Sequence, residues 1–124
     1  MKAGWREAAF NDGWTYRDRV PRADAGLLVS DWLADRYRHS DAALWQKRIA
    51  AGELDWNGAL LSGDRQLEGG EALCWRRPPW LEKAIPDQWE TIHDDGDLLV
   101  INKPSGLPVM PGGGFLRHTL TALL

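Results

Sequence analysis

The apolar positions in the middle of the chain predict two amphipathic helices joined by a short turn. One apolar set has the i, i+3, i+4, i+8 spacing of a helical face and comprises Val29, Trp32, Leu33 and Tyr37. A second set, also on one face, comprises Leu44, Trp45 and Ile49. Ser30 is the candidate cap of the first helix, and Ser40-Asp41 is that of the second. Gly52 is expected to end the second helix.

Polar and apolar residues alternate on either side of the helices, which predicts strands. Residues 53–56 alternate and run into Asn57-Gly58, the strongest short hairpin signal. A further strand is expected over 71–75, entered through Gly69-Gly70. The stretch 14–20 alternates less regularly and is a candidate edge strand. Helices and strands together predict a small α+β domain.

The proline content changes at Pro78 and marks a predicted domain boundary. Six of the seven prolines lie at or beyond it, and residues 78–88 have no periodicity. Beyond this predicted linker the pattern favours strands over 89–93 and 98–102 and the beginning of a helix over 119–124. The predicted organisation is a loosely ordered lead-in with the candidate edge strand over 1–26, a module over 27–77, the linker, and a second region over 89–124.

Composition and charge indicate a globular chain. The 124 residues are 44% hydrophobic and 27% charged and include eight Trp, which is enough to order a core. No apolar run approaches the ~20 residues of a membrane-spanning helix. The single Cys74 excludes an internal disulfide and fits a reducing compartment, so we expect a cytoplasmic protein without a membrane partner. The net charge of -3 argues against coating nucleic acid through bulk electrostatics, so any such contact must be local.

Local basic groups lie late in both predicted helices and are candidate phosphate contacts. They are Arg36, Arg38, His39, Lys47 and Arg48. Cations at the carboxyl end of a helix offset its dipole by about 0.3–1 kcal/mol each, which alone explains these positions. Two helices joined by a short turn also lie side by side, so the same residues can form a patch that meets phosphates. The two roles are compatible.

Other features permit both a chemical and a structural interpretation. The acidic stretch 94–97 has the carboxylates of an acid–base pair or a magnesium site, but its Asp-Gly step favours a polar hairpin turn. Lys103, which precedes Pro104, has a functional interpretation as a residue near phosphate or at the rim of an active site. The structural interpretation, a rigid corner, is favoured. Three Trp on apolar faces are expected in the core rather than as base-stacking platforms, and they are Trp32, Trp45 and Trp56. The His residues and Cys74 lack metal-ligand spacing, so no metal is expected.

Two segments resemble a known family. Residues 40–58 resemble the alpha-L RNA-binding module, in which a helix pair is followed by Gly, a strand and an Asn-Gly turn. Residues 94–109, with Asn-Lys-Pro-Ser-Gly at 102–106, look like the opening motif of the RluA-type RNA pseudouridine synthases. This second match is highly specific. The order of the two segments, with Arg-Pro-Pro at 77–79 between them, is also that of the family, and the resemblance covers roughly residues 14–124.

The resemblance implies both a fold and an activity. The implied fold is a small alpha-L module of two helices on a short antiparallel sheet, followed by the first strands of a mixed α/β catalytic domain that is truncated. The implied activity is isomerisation of uridine to pseudouridine in structured RNA such as rRNA or tRNA, with no metal or organic cofactor and no DNA. The family's nucleophilic Asp lies in a later His-Arg-Leu-Asp motif, and these 124 residues do not contain that motif. No catalytic residue is therefore transferred, and the polypeptide alone is expected to be inactive.

One departure from the family pattern concerns RNA binding. Alpha-L modules often carry Arg or Lys near the start of the second helix, whereas this chain has Asp41-Ala42-Ala43. The RNA-binding candidates are Arg36, Arg38, His39, Lys47, Arg48 and Lys103. The alternative hypothesis is a stand-alone RNA-binding module without enzymatic activity. A protein-interaction domain is a third hypothesis, which the net charge and Asp41 keep open.

Overall fold

The computed structural model describes residues 4–124 and shows a mixed α+β chain with short helices and several antiparallel sheets. The strands are β1 (Trp5–Arg6), β2 (Ala9–Phe10), β3 (Trp14–Arg19), β4 (Leu54–Trp56), β5 (Ala59–Leu60), β6 (Ala72–Arg77), β7 (Leu81–Glu82), β8 (Ile85–Pro86), β9 (Glu90–Asp94) and β10 (Leu99–Asn102). The helices are a 3-10 turn (Arg22–Asp24), α1 (Val29–Arg36), α2 (Ala42–Ala50) and the short α3 (Leu120–Leu123). The predicted α+β class is confirmed.

The chain divides into two compact units. The central unit is Gly13–Pro78, and the flanking unit combines residues 4–12 with 79–124. The division differs from the predicted lead-in over 1–26, because β3 belongs to the sheet of the central unit. The first three residues of that lead-in lie outside the described range.

The central unit is a four-stranded antiparallel sheet, in the order β3-β6-β4-β5, with α1 and α2 packed on one face. Side chains alternate along a strand, so Leu73 and Trp75 of β6 face the helices while Cys74 faces away. The shared core comprises Val20, Val29, Trp32, Leu33, Trp45, Ile49, Leu54, Leu61, Leu67, Leu73 and Trp75. Of the three Trp predicted to be core, two are buried, and Trp56 packs against the cluster while partly exposed.

The two helices are capped in different ways. Asp41 caps α2 as predicted, because its Oδ1 accepts the backbone N–H of Leu44 at 2.8 Å. The cap predicted at Ser30 is wrong, since this residue lies inside α1 and is fully buried. The backbone N–H and the hydroxyl of Ser30 donate to the carboxylate of Asp64, at 3.0 and 2.5 Å. A residue 34 positions away thus stabilises the start of α1, and no local pattern reveals it.

The predicted turn at Asn57-Gly58 is confirmed as the connection between β4 and β5. Both residues have positive φ, 48° and 83°, which suits a tight hairpin turn. The side chain of Asn57 also accepts the backbone N–H of Ala72 at 2.9 Å. The turn is thereby tied to β6, the neighbour of β4 in the sheet.

The Gly69-Gly70 turn before β6 runs against the 3-10 turn. Gly69 has a φ of 93°, and a Cβ there would lie 2.9 Å from the Cα and 3.0 Å from the carbonyl oxygen of Arg22. Gly70 has a φ of 86°, but a Cβ there would meet open space. The first glycine is therefore required for close approach as well as for backbone conformation, and the second for conformation alone.

These two glycines form a matched pair for a stability measurement. We expect Gly69→Ala to lower the free energy of unfolding of the central unit by about 2–4 kcal/mol, because it adds a backbone clash to the left-handed strain. Gly70→Ala should lower it by only about 1–2 kcal/mol, since it adds strain alone. Urea unfolding followed by Trp fluorescence measures both variants. Equal losses in the two variants would contradict the close approach.

The flanking unit is built from short antiparallel pairs. β1 pairs with β8, β2 pairs with β7, and β9 and β10 form a hairpin. The predicted strands over 89–93 and 98–102 and the predicted helix start are thus confirmed with small shifts. The stretch predicted as linker instead contains β7 and β8, and the lead-in contains β1 and β2. Two-residue strands are too short to show alternation, so no sequence pattern predicted them.

The flanking unit has a small core. It comprises Ile85, Leu107 and Leu120, with Trp89, Ile101, Phe115 and Leu123 packed against it. The β9–β10 hairpin adds little, since Ile92 is 62% and Leu98 is 58% exposed.

Candidate nucleic-acid interface

Arg36, one of the predicted basic candidates, pairs with Asp18. Its Nε, at the end of α1, donates to the carboxylate of Asp18 on β3 at 2.6 Å, and the Tyr37 hydroxyl donates to the same carboxylate. The bond to Asp18 and its negative charge raise the pKa of Arg36. Burial and then the bond to Asp18 raise the pKa of Tyr37 to about 12. Arg36 thus helps to hold α1 against the sheet.

Arg48, on α2, is the centre of the basic residues that do come together. Its guanidinium lies 4.4 Å from the ring centroids of both Trp45 and Trp75, a cation–π geometry. Its Nη1 donates to Ser40 Oγ at 3.0 Å, and that oxygen is 2.7 Å from Nδ1 of His39. Arg48 is therefore positioned by aromatic faces and a hydroxyl.

Arg77 brings a third basic side chain to this place. It follows Trp75 by two residues on β6, so alternation puts it on the same face of the sheet. Its guanidinium lies 5.8 Å from the Trp75 centroid, and its Nη1 donates to the Tyr16 hydroxyl at 3.3 Å. Burial and then the charges of Arg48 and Arg77 lower the pKa of His39. We call His39, Arg48 and Arg77 the basic cluster.

The electrostatics of the basic cluster favour an anion. Burial is the main cause that lowers the pKa of Arg48; the negative charge of Glu53 raises it, and the positive charge of Arg77 lowers it. Two positive charges that repel each other in this way are stabilised when a negative group binds between them. Arg38 and Lys47 are exposed and adjoin the cluster in sequence. The arrangement can bind phosphate groups, for which Arg is well suited.

The aromatic residues under the cluster are structural. Trp45 is fully buried, Trp75 is 4% exposed, and their ring centroids are 4.8 Å apart in an edge-to-face contact. Tyr16 stacks on Trp75 at 5.1 Å. These rings fill the core and support the cations, and the two buried Trp offer no free face to a base.

The sequence missed Arg77 as a member of the site. The predicted strand ended at residue 75, whereas β6 continues to Arg77, so the sequence placed Arg77 on no strand. The available signal was the alternation of Leu73, Trp75 and Arg77, which places all three on one face. Of the predicted residues, the structure brings His39 and Arg48 together and leaves Arg36 elsewhere.

Lys103 lies in the flanking unit and closes a turn. Its Nζ donates to the carbonyl of Leu107 at 2.8 Å and to that of Pro104 at 3.1 Å. These bonds fit the rigid corner that the sequence favoured. A phosphate contact by Lys103 stays a prediction.

The acidic residues between β9 and β10 also form a turn. The Asp94 carboxylate accepts the backbone N–H of Gly96, and Asp95 Oδ1 accepts those of Asp97 and Leu98 at 3.0 and 2.7 Å. The hairpin-turn interpretation is thereby confirmed. Among residues 4–124, no three His, Cys, Asp or Glu side chains converge as metal ligands would. No helix in this part of the chain is long and apolar enough to cross a bilayer.

The chain is similar to RNA pseudouridine synthases. It is 42% identical over 90 residues to an uncharacterized RNA pseudouridine synthase of Synechocystis, covering 73% of this chain and 31% of the relative. It is 35% identical over 123 residues to RNA pseudouridine synthase 5 of Arabidopsis thaliana, covering 97% and 33%. It is 29% identical over 115 residues to ribosomal large subunit pseudouridine synthase D of Xylella fastidiosa, covering 90% and 35%. No protein-family model matches the sequence. The chain spans about a third of the length of these relatives.

Proposed function

Because this chain belongs to the RluA-type RNA pseudouridine synthase family, we propose that it supplies the RNA-docking part and the opening of the catalytic domain of such an enzyme. The central unit is then an alpha-L-type RNA-binding module. The flanking unit provides the Asn-Lys-Pro-Ser-Gly corner of the catalytic domain. The reaction served is the isomerisation of uridine to pseudouridine in a structured rRNA or tRNA.

The basic cluster is the observation that carries the RNA-docking role. His39, Arg48 and Arg77 come together beside buried aromatic rings, and Arg48 and Arg77 present two cations on an otherwise acidic chain. Affinity for RNA comes largely from neutralising phosphates with such cations. The exposed Arg38 and Lys47 extend the proposed contact. In this proposal Asp41 is explained as a helix cap, so its negative charge does not count against RNA binding elsewhere on the surface.

The salt dependence of RNA binding tests this role. Binding of a fluorescein-labelled RNA stem-loop is measured by anisotropy over a range of KCl concentrations. The slope of log K against log salt is negative. The double variant Lys47→Gln, Arg77→Gln should reduce its magnitude by about 2, because two phosphate contacts are lost. Arg48 is left intact, since its packing on Trp45 and Trp75 supports the core.

The control removes two charges elsewhere. Arg6→Gln, Arg22→Gln changes the net charge equally at two exposed positions outside the basic cluster and should leave the slope unchanged. Absence of salt-dependent binding by the wild type, at any salt concentration, would refute the docking role. A stand-alone binding module is the second candidate, and the chimera described in the Discussion separates it from the enzyme part.

A further inference from the structure

The face of the central sheet that points away from the helices carries a second group of cations. We define this open sheet face by side chains of β3 and β6, which are Thr15, Arg17, Arg19, Ala72, Cys74 and Arg76. Tyr16 and Trp75 are paired across the two strands and stack on the helix side. Alternation therefore places the six defining residues on the opposite side.

Two arginines of the open sheet face are available to a ligand. Among residues 4–124, the side chain of the exposed Arg17 has no hydrogen-bond or ion-pair partner. Arg19 is also exposed and uses Nη1 to bond the Gly70 carbonyl at 2.9 Å, which leaves its other N–H groups free to donate. Arg76 is different, because it bonds both oxygens of Asp55 at 3.0 and 3.1 Å. Once that pair is discounted, the face keeps two positive charges on a chain of net charge -3.

The shape of the face suits an extended polyanion. Arg17 and Arg19 stand two residues apart on one strand, so their stems are roughly 7 Å from each other. The residues opposite them on β6 are the small Cys74 and Ala72, which leave the floor between the cations low. The β3 and β6 part of the face has no large apolar side chain to anchor a protein partner, whereas protein interfaces depend on such anchors.

We propose that the open sheet face is a second phosphate-binding surface, on which Arg17 and Arg19 bind neighbouring phosphates of the RNA. This inference rests on the proposed RNA-docking function and adds a second contact to it. The basic cluster and the open sheet face lie on opposite sides of β3 and β6, and β3 is an edge strand. A folded RNA that passes over the β3 edge reaches both surfaces, which a single straight segment on one face does not.

Charged residues on an edge strand have another known role. They discourage the unpaired edge from pairing with a second chain. That role predicts a change of oligomeric state when the charges are removed, with no change in RNA binding. RNA contact predicts the reverse, so the two explanations are separable.

The test compares three double variants of the 124-residue chain. Arg17→Gln, Arg19→Gln removes both charges, Arg17→Lys, Arg19→Lys keeps them, and Arg6→Gln, Arg22→Gln is the matched control. Binding of the labelled RNA stem-loop is measured against KCl concentration, and sedimentation gives the oligomeric state. We expect the magnitude of the negative slope of log K against log salt to decrease by about 2 in the first variant only. Retention of the slope by the Lys variant shows that charge carries the effect.

Each outcome decides the proposal. A slope in the Gln variant equal to that of the control overturns the second surface. If Lys47→Gln, Arg77→Gln still lowers the slope in that case, the docking role of the basic cluster stands. Dimerisation of the Gln variant with an unchanged slope assigns Arg17 and Arg19 to edge protection and also overturns the proposal. No salt-dependent binding by the wild type overturns both proposals together.

Discussion

A polypeptide of these 124 residues is expected to form no pseudouridine in ribosomal or transfer RNA. Covalent catalysis requires a positioned nucleophile in a supporting pocket, and the His-Arg-Leu-Asp motif of the family is not in this sequence. Asp94, Asp95 and Glu82 do not substitute for it. Asp94 and Asp95 are exposed and bonded to their own turn, and Glu82 is buried and fully bonded to neighbouring N–H groups. Mass spectrometry of digested RNA measures the product.

A chimera with the remainder of a relative tests the enzyme role directly. This chain replaces the matching segment of the Arabidopsis relative, to which it is 35% identical over 123 residues. We expect the chimera to form pseudouridine in RNA that the intact relative modifies, and the relative without its matching segment to form much less. A folded but inactive chimera would favour the stand-alone binding module. Pseudouridine made by the 124 residues alone, with contaminating synthases excluded by a mock purification, would contradict the first expectation.

Sequence patterns predicted the central unit well where the information is local. The apolar periods of α1 and α2, the Asp41 cap and the Asn57-Gly58 turn each depend on residues within one or two turns of chain. These features were all confirmed. Local pattern is enough when an element is long enough to show its period.

The features that the sequence did not predict depend on distant partners. Asp64 stabilises the start of α1 across 34 residues, and β1 pairs with β8 across about 80. Neither contact has a periodic signature, and two-residue strands give no alternation to read. Tertiary contacts of this kind are decided by the fold as a whole, so only the structure shows them.

The candidate interface was predicted in part for the same reason. Four of the six RNA-binding candidates lie between residues 38 and 48, in the turn after α1 and in α2, so they are close in sequence. Arg36 of α1 pairs with Asp18 on β3, and Arg77 lies on β6, which follows the β4–β5 hairpin in the chain. Which cations meet is therefore a property of sheet register rather than of sequence proximity.

Glu82 is expected to be the residue whose loss most destabilises the flanking unit. It is 1% exposed, and its carboxylate accepts the backbone N–H groups of Leu116, Arg117 and His118 at 2.7 to 3.0 Å. It also accepts a hydrogen bond from Nδ2 of Asn11 at 2.9 Å. One carboxylate thus joins β7, the amino-terminal segment and the loop before α3. A buried charge is tolerated there because every side of it meets a donor.

The bonds to Glu82 also determine how stability depends on pH. Burial, the largest single effect, raises the pKa of Glu82. The hydrogen bonds from His118, Asn11, Arg117 and Leu116 lower it, and their sum outweighs burial, so the pKa is below its ordinary value. A carboxylate whose pKa is lower in the folded state stabilises the fold above its unfolded pKa of about 4.3. This stabilisation is lost as the pH falls through the folded pKa. The flanking unit should therefore weaken in acid, over a range that begins below about pH 5.

Replacing Glu82 by Gln should lower the free energy of unfolding of the flanking unit by about 2–4 kcal/mol at neutral pH. The amide keeps one acceptor oxygen but turns an NH2 group toward backbone N–H donors, which leaves buried donors unpaired. Hydrogen exchange should then accelerate roughly 30- to 1,000-fold at the amides of Leu116, Arg117 and His118. Glu90→Gln, at an exposed position on β9, is the matched control and should leave these rates unchanged. The acid-dependent loss of stability should also shrink in Glu82→Gln, because the titrating group is gone. Unchanged exchange at the three amides would show that the Glu82 bonds do not hold this loop in solution.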